Sequence, residues 1–432
     1  MTISKRTFNV VLFIFFLLSM WLPGEEMPAI LTPLRYVVFL TLSGFIIFTA
    51  YMAVGLRVPR SAEAALISTF LFYVSLSAFW SVQQPDTYIK AMLILAAMLT
   101  CLSIANLKPL DETLRILFAA TATFVVASVF VAVLVPSIGV ETGWEHAGKW
   151  KGLSPQKNGM GALSALTLVA GLAIPLRPRA TPGRQAWALA GRSIVVALAA
   201  LGVYMAGSRG AQLTSLLGIA SLLLAYAPRL LQRLVLLALL LFSVPLINLG
   251  VSTFVIDADK IGIVGLTIDT NSRTTIWEYG LTQMAGRELF GHGVSGFWTE
   301  ERMIAFQDIH GWVLDNFHNG YITILVEGGV VGFLLFTLGL ALCYVLLLVA
   351  IGTMKDRFLA LAFALLNSFA VGNLVENEAG RSTSSSIIIF AVIAFSLRSY
   401  ISERLAENDG KRFVDHSGTM PARLTGPKPH RV

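Results

Sequence analysis

Charge is scarce in this 432-residue sequence. Only 13% of residues are Asp, Glu, Lys or Arg, against 56% that are hydrophobic, and the mean hydropathy is +0.73. Soluble domains carry about a quarter charged residues, so disordered, fibrous and nucleic-acid-binding classes are excluded and a bilayer protein is implied. Cysteine is nearly absent: Cys101 and Cys343 each lie inside an apolar run, without CxxC spacing, and are expected to be buried, inert thiols. Six histidines, with no HExxH, DxD or paired-cysteine spacing, leave no recognisable metal-ligand set, and no metal or other cofactor is expected.

What the sequence has instead is long apolar runs. Spanning the hydrocarbon takes about 20 apolar residues. Twelve candidates lie near 8–22, 36–56, 64–80, 91–107, 116–136, 159–176, 193–207, 210–227, 234–250, 328–351, 358–373 and 382–397, and none contains Asp, Glu, Lys or Arg. Lys5 and Arg6 ahead of the first run imitate a secretory leader. Leu22-Pro23-Gly24-Glu25-Glu26 follows instead of a small-residue cleavage site, so a retained helix is expected. The fold class is therefore an all-α polytopic membrane protein of about 12 transmembrane helices.

With a cytoplasmic N-terminus, the even number of spans brings the C-terminus back to the cytoplasm. Inner segments then hold about two-thirds of the 32 Lys and Arg, among them Arg57, Arg60, Lys108, Arg115, Arg177, Arg192, Arg229, Lys355 and Arg357, as the positive-inside rule requires. The outer face receives a short excursion, Ser137 to Asn158, and a long one, Val251 to Glu327, rich in charge and in Trp277, Trp298 and Trp312. Loops this long are commonly functional, and Arg273 to Met284 reads as a short helix within it. Four regions result: helices 1–9 in 1–250, the long loop in 251–327, helices 10–12 in 328–402, and a polar tail, 403–432, expected to be disordered.

Several outward clusters can carry chemistry. Gly207-Ser208-Arg209-Gly210 is a tight crossing that places Arg209 where a phosphate-sized anion can meet it, although a snorkelling loop arginine fits the same position. Arg273 follows Asn271-Ser272, a helix-capping pair. A first-turn cation opposes the helix dipole, which points to an anionic ligand or to a salt bridge with Asp269 or Glu278. His318, in Asp315-Asn316-Phe317-His318-Asn319-Gly320-Tyr321, can accept a proton near neutral pH, with Asp315 or Glu327 fixing its tautomer; alone, it also reads as a structural histidine. His292 and His310 lack such a polar frame. The basic stretch Lys149 to Gly159 supplies Lys151, Gln156 and Asn158 as contacts for phosphate or sugar, or simply forms a solvated loop.

Taken together, Ser208-Arg209-Gly210, Ser272-Arg273 to Trp277, Gly291-His292-Gly293 and the run His318 to Gly332 resemble the O-antigen ligase and polymerase superfamily. The resemblance extends over most of the chain, and the short tail is more like the ligase branch than the protein O-oligosaccharyltransferases. It implies transfer of O-antigen polysaccharide from undecaprenyl diphosphate to the lipid A–core oligosaccharide. The reaction would occur at the periplasmic face of the bacterial inner membrane, by inversion and without a metal. His318 would be the base and Arg209 and Arg273 the diphosphate ligands, with Lys151, Gln156, Asn158, Tyr321 and Glu327 orienting His318 or the acceptor. The polymerases and O-oligosaccharyltransferases share this donor. A transporter of lipid-linked oligosaccharide is the reading from another class, and it would call for midplane charges or broken helices in matching halves.

Overall fold

The computed structural model of the protein describes residues 4–20, 31–57, 60–82, 86–143, 146–177, 181–232, 234, 260–263, 266–269, 273–377, 379 and 384–417. Apolar side chains in unbroken runs leave the backbone to satisfy its own hydrogen bonds, and the chain answers with helices. These are α1 (Lys5–Ser19), α2 (Leu31–Val54), α3 (Ala62–Leu76), α4 (Asp86–Leu107), α5 (Leu110–Leu134), the single turn α6 (Pro136–Gly139), α7 (Lys157–Ala173), α8 (Pro182–Ala206) and α9 (Arg209–Tyr226). After them come α10 (Arg273–Thr282), α11 (Glu300–His310), α12 (Gly320–Thr353), α13 (Arg357–Val375) and α14 (Ser385–Ser417). One antiparallel hairpin, β1 (Lys260–Ile263) with β2 (Leu266–Asp269), interrupts the helical pattern and pairs Lys260 with Asp269; the sequence pattern did not announce it.

Eight of the described helices are long and apolar enough to cross a membrane. Of the other expected spans, α1 and α7 are helices of 15 and 17 residues, and α9 is an 18-residue helix carrying Gln212, Thr214, Ser215 and Ser221. Of the run 234–250, all but Leu234 lies outside the described residues. Helices α13 and α14 form the centre of the bundle. Phe358 to Leu366 is almost continuously buried, as is Ile387 to Phe395. Phe336 of α12 contacts Phe70, Phe369 and Phe390, and the last two stack at 4.9 Å. Cys101 and Cys343 are buried and unpaired, as expected from their apolar surroundings.

Two boundaries differ from the sequence reading. The long loop ends at Asn319 and not at Glu327, because α12 begins at Gly320 and breaks at Gly329, where φ is 64° and ψ is −172°. Only glycine tolerates that conformation. The backbone groups freed by the break are taken up by the preceding loop: His292 N donates to Val326 O, Gly293 N to Glu327 O, Val330 N to Glu288 O and Val331 N to Leu289 O. Tyr73 of α3 donates to Gly328 O at 2.7 Å. The second difference is at the C-terminus, where α14 continues through Ser417, so the first part of the tail expected to be disordered is helical. Arg404 fastens this extension, reaching Tyr400, Glu407 and Asp356. Residues 418–432 lie outside the described residues.

The long loop has its own core. Ile276, Met284, Phe297, Phe306, Leu314, Phe317 and Val326 are buried together, with Trp277, Tyr279, Trp298 and Trp312 packed around them. Helix α11 carries its own start and stop signals: Thr299 accepts from Arg302 N, Glu300 and Glu301 sit in the first turn, and Gly311 closes the last turn at φ 80°.

Candidate active site

His318 stands at the junction of this small core with the bundle. The preceding Phe317 is fully buried against Phe297 and Trp298, and Trp277 Nε1 donates to its carbonyl at 2.9 Å. His318 itself adopts φ 47°, uncommon for any residue but Gly although less so for His, Asn and Asp, and its N–H donates to Asn316 Oδ1 at 2.9 Å. Asn319 then caps α12, its Oδ1 accepting from Tyr321 N and Ile322 N. Strained backbone of this kind persists only where the surroundings enforce it, and here both flanking residues are anchored.

The imidazole faces Glu376. His318 Nδ1 lies 3.6 Å from Glu376 Oε2, within ion-pair range and beyond hydrogen-bond length. The other carboxylate oxygen accepts from Asn158 Nδ2 at 3.0 Å. Arg273 Nη2 is 3.8 Å from that same oxygen, and Arg273 Nη1 donates to Val375 O at 2.6 Å. Glu376 thus gathers α7, α10 and the start of α12 at the end of α13. The backbone seals the junction: Gly320 N donates to Glu376 O at 3.1 Å, and a Cβ on Gly320 would collide with the buried Asn373 side chain.

Arg209 heads α9 at the same end. Ser208 Oγ accepts from Ala211 N, and Gly210 packs so closely on Val375 that a Cβ there would lie 3.2 Å from its side chain. The guanidinium of Arg209 is exposed, and among the described residues it has no ion-pair or hydrogen-bond partner.

The structure therefore brings together His318, Arg273 and Asn158, with Arg209 beside them. It does not gather the remaining candidates. Tyr321 turns into the bundle, donating to Ala370 O at 3.0 Å beside Phe336. Glu327 accepts from Ser295 N at 2.9 Å and holds the loop against the break in α12. Gln156 is exposed at the N-cap of α7 without making a cap bond, and Lys151 is half-buried in a turn tied to Gly139 O. The partners expected of two residues also differ. Glu376 meets His318 where Asp315 or Glu327 was expected, Asp315 being bonded to Asn316. Arg273 likewise meets Glu376, while Glu278 is exposed and the side chain of Asp269 lies outside the described set.

Glu376 is the residue of this candidate site that reading the sequence missed. The available signal was an acidic residue directly after the apolar run 358–373, in a segment assigned to the same face as the long loop. His292 and His310 are structural. His292 is 1% exposed, engages Gln283 O through Nε2 and packs on Phe297; burial pushes its pKa down to about 4, so it is neutral. His310 lies 4.4 Å from the Phe306 ring at the end of α11.

Chemically, an imidazole beside a carboxylate, an arginine and an amide can take a proton from a hydroxyl while guanidinium groups hold an anion. Residues 194–337 match the family model described as O-antigen ligase. This segment is similar to an O-antigen ligase domain. The likeness is to that segment alone and agrees with the resemblance carried by the motifs around Arg209, Arg273 and His318. The match takes in Arg209, Arg273, His318 and Glu327 and stops short of Asn158 and Glu376, which the O-antigen ligase domain meets only through the fold. No curated protein matches the chain.

Proposed function

We propose that the protein is the O-antigen ligase itself, moving O-antigen polysaccharide from undecaprenyl diphosphate onto a sugar hydroxyl of lipid A–core at the periplasmic face of the inner membrane. The observation that carries this is the placement of His318 3.6 Å from Glu376, beside Arg273 and next to the exposed Arg209. In the reaction the acceptor oxygen attacks the anomeric carbon and the bond to the diphosphate oxygen breaks. The electron pair leaves with the diphosphate, and the acceptor proton passes to His318. A single displacement inverts the anomeric centre. Arg209 and Arg273 hold the diphosphate, planar forks being suited to phosphate oxygens, and stabilise the charge that develops on it. Glu376 orients the imidazole and stabilises its protonated form; Asn158 holds Glu376. No step requires a metal, and both termini lie in the cytoplasm.

The broken helix α12 is a feature that transporters also use. Here the groups freed at Gly329 are bound by the protein's own loop 288–293, which leaves them no ion or substrate to coordinate. That favours the transferase. The test is the lipopolysaccharide banding of a deletion strain complemented with wild type, Arg209→Ala, Arg273→Ala or His318→Ala at matched expression. Bare core with accumulated full-length lipid-linked polymer, restored by wild type alone, is the expected result. Single repeat units in the deletion strain would make the protein a polymerase. Normal polymer attachment in all strains would overturn the assignment.

A further inference from the structure

The turn between α8 and α9 carries a second cation. Gly207 closes α8 at φ 59°, and a Cβ there would come within 2.8–2.9 Å of Lys149 Cδ, Cε and Nζ. The side chain of Lys149 therefore lies flat across the turn, two residues from Arg209. The backbone puts it there. Val140 and Trp150 form an antiparallel bridge, Glu141 N donates to Lys149 O at 2.8 Å, and Trp150 N donates to Met205 O at 3.1 Å, fastening this strand to the end of α8. Glu141 is occupied, its Oε1 accepting from Lys157 N at 3.0 Å, and Glu145, four residues before Lys149, lies outside the described residues.

Among the described residues neither Lys149 nor Arg209 has an ion-pair or hydrogen-bond partner for its charged end, and both are exposed. Two like charges set side by side repel, and holding a long lysine in one place gives up rotamer entropy. Among the described residues no acid of the site offsets that cost, since Glu376 is engaged by Asn158, Arg273 and His318. An anion from outside, large enough to touch both, would offset it.

We propose that Lys149 is a further ligand of the lipid diphosphate, paired with Arg209 across the turn at Gly207. The assignment rests on the donor proposed above and adds a residue outside the O-antigen ligase domain match. Arginine grips a phosphate as a fork and lysine meets it as a point charge, so the pair can divide the two phosphates between them.

Binding of undecaprenyl diphosphate to the full-length protein in nanodiscs tests this. Lys149→Ala is expected to weaken the affinity about tenfold, within the range for a lost charge-assisted hydrogen bond, and Lys149→Arg to stay within about threefold of wild type. Arg287→Ala, which removes one exposed positive charge in the long loop, is expected to bind as wild type does. Equal weakening by Arg287→Ala would mean a bulk charge effect and overturn the assignment. Wild-type affinity in Lys149→Ala, with loss in Arg209→Ala and Arg273→Ala, would overturn it while leaving the donor in place. Failure of the wild-type protein to bind undecaprenyl diphosphate would overturn the donor and Lys149 together.

Discussion

Glu376 joins three segments far apart in sequence, touching Asn158, Arg273 and His318. A carboxylate so placed acts on the reaction through the imidazole. Glu376→Gln keeps the shape and loses the charge, so transfer is expected to slow by about tenfold or more while donor affinity changes little, measured as kcat and KM of the purified enzyme. Asn158→Asp sets a second carboxylate 3.0 Å from the first and is expected to be more damaging at neutral pH than Asn158→Ala, in the same assay. His292 bears on stability. Its folded pKa is about 4 and its unfolded value about 6.5, so between these the unfolded chain binds more protons. Its contribution is full above about pH 6.5 and is lost as pH falls toward 4. Melting temperatures measured across that window should fall less steeply in His292→Gln than in wild type.

At the scale of elements, the break in α12 is a built joint. Gly329→Ala places a methyl against Leu289 O in a backbone conformation that L residues avoid, and a loss of stability of about 1–3 kcal/mol is expected, read as a lower melting temperature. The apolar runs made the helices legible, because runs near bilayer length have few other outcomes. Arg273 at the start of α10 and His318 at the mouth of the tenth span were legible for a similar reason: polar groups beside apolar runs need a purpose. The start of α12 at Gly320 was not, because Glu327-Gly328-Gly329 reads as a loop end, and only the loop threaded through the gap makes it a helix interior. Glu376 was hidden too. Its role comes from contacts 58 and 218 residues away, which no local pattern encodes.

The whole molecule has two unlike ends. One gathers His318, Glu376, Arg273 and Arg209; the other is laced by Lys5 and Lys108 to Glu112 and by Arg404 to Asp356 and Asp111. In the proposed orientation, which follows the distribution of Lys and Arg along the sequence, the first end faces the periplasm. In intact cells, Arg287→Cys is expected to react with a membrane-impermeant thiol reagent and Lys355→Cys only after permeabilisation, with the buried Cys101 and Cys343 silent in both. The most direct test of the proposed reaction is single-turnover transfer by purified protein in nanodiscs, from a defined undecaprenyl-diphosphate donor to lipid A–core, comparing wild type with His318→Ala. A positioned general base contributes about 10²–10⁴-fold, so His318→Ala should lose at least about a hundredfold while still binding donor. A His318→Ala rate within about threefold of wild type would contradict the assignment of His318 as the base.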